Sequence, residues 1–449
     1  MLRSQSPATA GCHRSDLSQP HRPQFRMTTH AQVSNGAVST MLPTCSQRVR
    51  DTDDPVIVAM KQLIASSPRP TLSLAQGVVH WAPPPQALQA AAHVLATDPV
   101  SISAYGASDG LPALKAALMA KLGARGLNQH QVMVTTGANQ AFVNVVLALV
   151  DKQDSVCLFT PYYFNHLMAV QMTGGARHVL YGPCDPQTLH PDLGWLEQQL
   201  LGPNPPKCVV LVTPNNPTGV VLTKEEITRA AELCEKAGSW LVLDCTYEDF
   251  LYDGAQHHYS TSPNVIHIFS MSKSHGMMGW RVGYLAWKDA DGTNWLGRQI
   301  AKVQDTIPIC PNQLSQHVAL ASLQHGGEYV AEHIHALAGN RTVLLDALSP
   351  LGTPGNGIAR SEGAIYFWAR LPSDCMDDQA VVAWLIREHG VAVIPGSACG
   401  SPGHIRVAFG NVKGDVLVEA AARLKTGLTQ LVTQGWSAAS KAVQEPAVV

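Results

Sequence analysis

Two runs, Lys207-Cys-Val-Val-Leu-Val-Thr-Pro-Asn-Asn-Pro-Thr-Gly219 and Trp240-Leu-Val-Leu-Asp244, carry the reading that decides the fold. Lys207–Val212 and Trp240–Leu243 are continuously apolar and rich in Val and Leu, the pattern of strands buried on both faces of a parallel sheet. Between them, 223–237 reads as a helix opened by a capping box, with Thr223 followed three residues on by Glu226. A strand, a helix and a second strand of this kind make a right-handed crossover. Working outward, the spacing predicts helices over 113–122 and 140–150, and strands over 132–135, 155–159 and 265–269. The alternation gives an α/β fold: a three-layer αβα large domain over 91–312 with a mostly parallel sheet. After Asn312 the texture changes. Helices over 328–347, 378–388 and 415–431 flank short strands at 364–369, 391–394 and 404–408, the pattern of a smaller α+β domain over 313–435. A long helix spanning 312–333 is expected to join the two domains. Residues 51–90 are expected to contribute to the small domain and the site, and 436–449 to form a flexible tail.

Composition narrows the possibilities. The chain has 449 residues, beyond the roughly 250–300 at which one core stops growing, which argues two domains. With 45% hydrophobic residues it can bury a core, so a wholly disordered chain is excluded. Thirty-one Lys plus Arg against 33 Asp plus Glu leave no basic field for nucleic acid. The apolar stretches, such as Phe142–Val150, fall short of a membrane span. Ten scattered cysteines without a C-x-x-C pair read as reduced thiols. Residues 1–50 hold six arginines, many Ser and Thr and one acid, Asp16. This is either a disordered leader or an organelle transit peptide, so the compartment is cytoplasmic or, with a transit peptide, plastid or mitochondrial.

In open α/β sheets ligands sit at the carboxyl ends of the strands. Five such places carry unusual residues. Thr136-Gly137-Ala138-Asn139 runs from a strand into a helix and offers N–H groups to an anion, or is an ordinary turn. Pro214-Asn-Asn216-Pro-Thr-Gly219 holds the Asn216 amide on a rigid loop. Asp244, with Tyr247 three residues on, is either a helix N-cap or a carboxylate awaiting a positive partner. Ser270-Met-Ser272-Lys273 places an amine among Met, Gly and Trp, where it is able to lose its proton, and Arg281 follows eight residues later. Arg406 lies in the apolar strand Ile405–Phe409, either as an edge residue or reaching into a cleft for a carboxylate.

Together these describe one ligand. A protonated pyridine nitrogen needs Asp244, and a phenolate oxygen needs Asn216 and Tyr247. A phosphate needs Gly137, Ala138, Asn139, Ser270, Ser272 and Arg281. An aldehyde needs Lys273, and a planar ring needs a face such as Tyr163. That ligand is pyridoxal 5′-phosphate.

With these motifs in this order, the chain from about Pro55 to Val432 resembles the class I/II aminotransferases, the fold-type-I pyridoxal-phosphate enzymes. The resemblance implies that Lys273 forms the internal aldimine and Asp244 pairs with the pyridinium. It implies that Asn216 and Tyr247 bond the ring oxygen, Tyr163 stacks on the ring and Arg406 takes the substrate carboxylate beside Gly77. Tyr105, in Ala104-Tyr-Gly106, would reach the phosphate of a neighbouring subunit, which implies a homodimer with shared sites. Dicarboxylate-specific relatives carry an arginine near the segment Thr306-Ile-Pro-Ile309, where this chain has none. Gly77-Val-Val-His80-Trp81, Pro161-Tyr-Tyr-Phe-Asn165 and Ser272–Trp280 resemble a plant-type aromatic aminotransferase, which interconverts aromatic amino acids with 2-oxo acids and can use methionine. Trp81, Tyr105 and Tyr163 would supply aromatic walls. Within the same fold, a C–S or β-eliminating lyase and a 1-aminocyclopropane-1-carboxylate-synthase-like enzyme share every cofactor residue; a non-catalytic regulator of the same fold is the more distant alternative. His80, His166 and His275 match no metal spacing, so no metal is expected.

Overall fold

The computed structural model describes residues 44–173 and 176–441. Its central sheet is built from β1 (His130–Thr135), β2 (Asp154–Phe159), β3 (Ala176–Gly182), β4 (Cys208–Val212), β5 (Trp240–Asp244), β6 (Val265–Ser270) and β7 (Gly283–Lys288). The strand order is β1-β7-β6-β5-β4-β2-β3, with β7 antiparallel to β1 and β6 and the other pairs parallel. The in-register pairs Val212↔Asp244 and Asp244↔Ile268 put the carboxyl ends of β4, β5 and β6 on one edge.

Both faces of the sheet are covered, as the unbroken apolar runs require. Along β4 and β5 the side chains alternate: Val209, Leu211, Leu241 and Leu243 join one core, Val210 and Val242 the other. The helix Lys224–Ala237 between these strands has the expected capping box at Thr223 and Glu226, and ends at Gly238 with φ 66°. On the opposite face, Ala138–Leu149 and Phe164–Thr173 supply Phe142, Val145, Leu167 and Val170.

The smaller unit contains β8 (Thr353–Pro354), β9 (Gly357–Ile358), β10 (Tyr366–Arg370), β11 (Ile394–Pro395) and β12 (His404–Ala408), in the order β11-β12-β10-β9-β8. Helices Gly327–Leu348 and Gly414–Gln434 bury Leu337, Leu344, Leu424 and Leu428 in its core. Val56, Met60, Leu74 and Val79 join the same core, and Leu72–Ser73 pairs in parallel with Val391–Ala392.

Three features differ from the sequence reading. The long helix expected over 312–333 is two helices, Gln313–His325 and Gly327–Leu348, parted at Gly326, where an added Cβ would lie 2.5 Å from the Ser322 carbonyl oxygen. The first of them contributes Val318 and Ala319, and helix Pro85–Thr97 contributes Ala87 and Ala91, to the core of the large unit. The boundary drawn at 91 therefore cuts a helix of the large unit, and the one at 313 leaves another of its helices with the small unit. Finally, Trp436–Lys441 is helical with Ala439 fully buried, where a flexible tail was expected. The leader falls mostly outside the described residues; its last part, Gln47–Arg50, is one exposed helical turn.

Candidate active site

Asp244 ends β5 and lies 5% exposed. The Thr246 amide donates to its Oδ1 at 2.9 Å, and His166 Nε2 lies 3.1 Å from its Oδ2. The side chain that faces this buried carboxylate is an imidazole, set on the first turn of the helix Phe164–Thr173. That imidazole is wedged between Phe142 and Tyr163, at ring-centroid distances of 4.2 and 5.2 Å. Sequence reasoning noted His166 only as matching no metal spacing and gave it no place in the site. The signal available was its place three residues after Tyr163, just past the end of β2.

Lys273 sits in the turn between β6 and β7, and its amine donates to the Gly77 carbonyl. Burial, then the positive charges of Arg406 and Arg281, lower its pKa from 10.5 to about 8. A substantial neutral fraction at mild pH follows. Trp81 Nε1 donates to the Ser274 carbonyl at 3.2 Å, holding the chain just beyond the lysine.

The Asn216 loop is stapled on several sides. Asn215 Oδ1 accepts from the Thr218 amide at 3.2 Å and from the Thr218 hydroxyl at 3.0 Å, and the Gly219 amide donates to the Asn215 carbonyl at 2.8 Å. The peptides preceding Pro214 and Pro217 are both cis. Gly219, at φ 75°, passes so near Gly363 and Ser361 that a Cβ would lie 2.8 Å from each. Asn216 Oδ1 accepts from Arg406 Nη1 at 2.8 Å, which leaves its NH2 for the cleft.

Arg406 belongs to β12 and is 1% exposed. Pairing on both sides, with β10 and β11, removes the edge-strand alternative. Its Nη2 donates to the Ala75 carbonyl at 2.8 Å, and the guanidinium lies 4.3 Å from the centroid of the Tyr366 ring. Its buried Nε has no hydrogen-bond partner among the described residues. A buried cation with an unused N–H invites a carboxylate.

At the other end, Gly137 has φ 82° and precedes the helix Ala138–Leu149. A Cβ there would lie 2.3 Å from Arg281 Nη2, so only glycine lets the guanidinium lie over the helix N-terminus. The Ser272 amide donates to the Ser270 hydroxyl oxygen at 3.0 Å beside it. Helix N–H groups, two hydroxyls and an arginine form a donor set suited to a phosphate.

One cleft brings together Gly77, Ala138, Asn139, Tyr163, Asn216, Asp244, Tyr247, Ser270, Ser272, Lys273, Arg281 and Arg406. Three anticipated residues do not line it: Gly137, which lies just behind it against Arg281, Trp81, and Tyr105, whose expected place was a neighbouring subunit's site. Trp81 is 5% exposed and packs against Phe250 and His333, away from the cleft wall, because a tryptophan serves equally well as core or as pocket lining. Tyr105 is 81% exposed and does not line this cleft. Besides His166, the cleft holds Tyr366, which was not anticipated; its hydroxyl is hydrogen-bonded to that of Tyr247. Burial raises the pKa of both phenols, most strongly that of Tyr247, so both keep their protons. Among the described residues no group of three or more His, Cys, Asp or Glu is placed to hold a metal, and no helix is long and apolar enough to cross a membrane.

Known proteins resemble this chain in sequence and in fold. Residues 69–424 match the family described as aminotransferase class I and II. The chain is 46% identical over 393 residues, 87% of its length and 98% of the relative's, to the aromatic aminotransferase ISS1 of Arabidopsis thaliana. It is 29% identical over 307 residues to an aspartate aminotransferase of Thermotoga maritima, covering 67% and 77% of the two chains. Among solved structures, the aspartate aminotransferase from Thermus thermophilus with maleate superposes with a TM-score of 0.77 at 26% identity, covering 86% and 100% of the chains.

Proposed function

The chain belongs to the class I and II aminotransferases and is an amino-group transferase; on that premise we propose that it uses pyridoxal 5′-phosphate to exchange an amino group between an aromatic amino acid and a 2-oxo acid, with methionine as a further donor. The observation that carries the reading is the meeting of Lys273, Asp244 and Arg406 in one cleft, brought there by β6, β5 and β12. The aromatic preference draws on the 46% identity to an aromatic aminotransferase and on the rings of Tyr163, Phe164 and Tyr366 in the cleft. The segment Thr306–Ile309 offers no arginine to a second carboxylate.

The residues present suit the cofactor. Gly137, Ala138, Asn139, Ser270, Ser272 and Arg281 would hold its phosphate, and Asp244, backed by His166, its ring nitrogen. Asn216 and Tyr247 would donate to its ring oxygen, with Tyr163 against the ring. When bound, the cofactor supplies an aldehyde that captures the amino group and a ring that draws electrons from the α-carbon. Arg406 fixes the carboxylate of the incoming amino acid, using the N–H left over from Asn216 and Ala75. The Lys273 amine, with its pKa lowered to about 8, would be the base that takes the proton from the α-carbon of the bound amino acid. Burial of Asp244 and Tyr247 keeps water from competing for the same donors and acceptors.

A homodimer is part of the proposal. Tyr105, 81% exposed, is available to a neighbouring chain, and Val100 close by in sequence is 79% exposed.

The test is spectroscopic and chemical. Protein loaded with the cofactor shows a visible band that bleaches on adding phenylalanine, and Lys273→Ala lacks the band. The 2-oxo acid forms only when a second 2-oxo acid accepts the amino group. Ammonia released without an acceptor overturns transfer in favour of elimination. Faster turnover of aspartate than of phenylalanine overturns the aromatic assignment.

A further inference from the structure

Tyr366 opens β10, directly beside β12, and its ring lies beneath the Arg406 guanidinium at 4.3 Å. The side chain is 1% exposed. Its hydroxyl reaches across to Tyr247, three residues beyond the end of β5, so one side chain joins the small unit's carboxylate anchor to the large unit's phenol. Gly77 makes room for this. A Cβ there would lie 2.0 Å from the Tyr366 hydroxyl oxygen, and the Gly77 carbonyl accepts from Lys273.

Two phenols in contact carry two protons, and only one proton lies between their oxygens. Geometry alone permits either donor. If Tyr247 donates to an oxygen of the bound cofactor, its proton is committed there, and the proton between the rings belongs to Tyr366. Hydrogen bonds in such a chain strengthen one another in a dry interior.

We propose that Tyr366 is a positioning residue: its hydroxyl donates to Tyr247 and turns the Tyr247 O–H into the cleft, while its ring carries Arg406, so that carboxylate capture and the donor to the cofactor are set by one side chain. The inference rests on the functional reading above.

Tyr366→Phe keeps the ring and removes the donor. In cofactor-loaded enzyme the pH midpoint of the visible band rises by about half a unit to one unit, because a weaker donor stabilises the ring-oxygen anion less. The rate constant kcat falls by about 10-fold while KM for phenylalanine stays within about 2-fold, since Arg406 keeps its platform. Tyr366→Leu removes the ring as well, and KM rises by about 10-fold or more. Because Tyr366 acts through Tyr247, the double variant Tyr247→Phe/Tyr366→Phe has the midpoint of Tyr247→Phe alone. An unchanged midpoint in Tyr366→Phe, or additive shifts in the double variant, overturns the proposal. Absence of any visible band in the wild type instead defeats the functional reading, and the two failures are told apart by that control.

Discussion

Acidification to about pH 5.5 should cost this protein stability through a buried histidine pair that does not line the cleft. His130 opens β1 and His267 lies within β6; they are 5% and 0% exposed, with ring centroids 5.5 Å apart. Among the described residues no charged side chain is hydrogen-bonded to either ring, and His267 Nε2 accepts from the Ser260 amide at 3.3 Å. Burial is the main cause lowering both pKa values from 6.5, to about 4 for His130 and about 3 for His267, aided by Lys288 at His130 and by His130 and His257 at His267. A depressed histidine binds fewer protons folded than unfolded. Stability is therefore whole above the unfolded value of 6.5 and is lost as pH falls below it, towards the folded values. One unit below 6.5, each site costs about 1.4 kcal/mol whatever its depressed value, since the unfolded state alone takes up the proton. The pair together costs about 3 kcal/mol, a large share of an ordinary domain stability of roughly 5–15 kcal/mol. His190 has the opposite sign, because its hydrogen bond to Glu226 raises its pKa. Comparing variants cancels that contribution. Denaturant unfolding at about pH 7.5 and 5.5 should show His267→Gln losing about 1.4 kcal/mol less than wild type on acidification. An equal loss in both proteins, or an NMR titration placing the His267 midpoint above 6, would refute the reasoning.

Other outcomes follow from the cleft. Arg406→Lys keeps the charge but loses the fork held by Asn216 and Ala75; kcat/KM for phenylalanine should fall about 100-fold, while an amine lacking the carboxylate is turned over as before. Asp244→Asn removes the carboxylate that His166 and Thr246 orient, and single-turnover absorbance should slow by on the order of 10²–10³-fold with the band still present. Gly137→Ala must adopt φ 82° and displace Arg281; cofactor affinity measured by fluorescence should weaken about 10-fold or more, whereas affinity unchanged within 2-fold would remove this turn from the phosphate site. In cofactor-free protein, acylation of Lys273 followed by mass spectrometry should rise with a midpoint near pH 8, well below the ~10.4 of an unperturbed lysine side chain.

Much of the site was readable because of where an α/β sheet puts its loops. Residues that follow β1, β4, β5 and β6 in sequence, Gly137, Asn216, Asp244 and Lys273, share one sheet edge once the strands lie side by side. Local signals sufficed for the elements too: the capping box at Thr223 and the apolar runs at Val209 and Leu241 need no knowledge of distant partners.

What the amino-acid order determined by itself is therefore local chemistry and its place relative to a strand: an amine, a carboxylate and a glycine turn at successive strand ends. What only the tertiary structure decided is which side chains meet across elements far apart in sequence. His166 under Asp244, Tyr366 against Tyr247 and Arg406 on Asn216 depend on how two units dock and on register between strands. Trp81 shows the same in reverse, since its apolar face fits a core or a pocket equally and packing alone sent it to the core. Periodicity and propensity act over a few residues, whereas these contacts are selected by shape and desolvation across the whole chain.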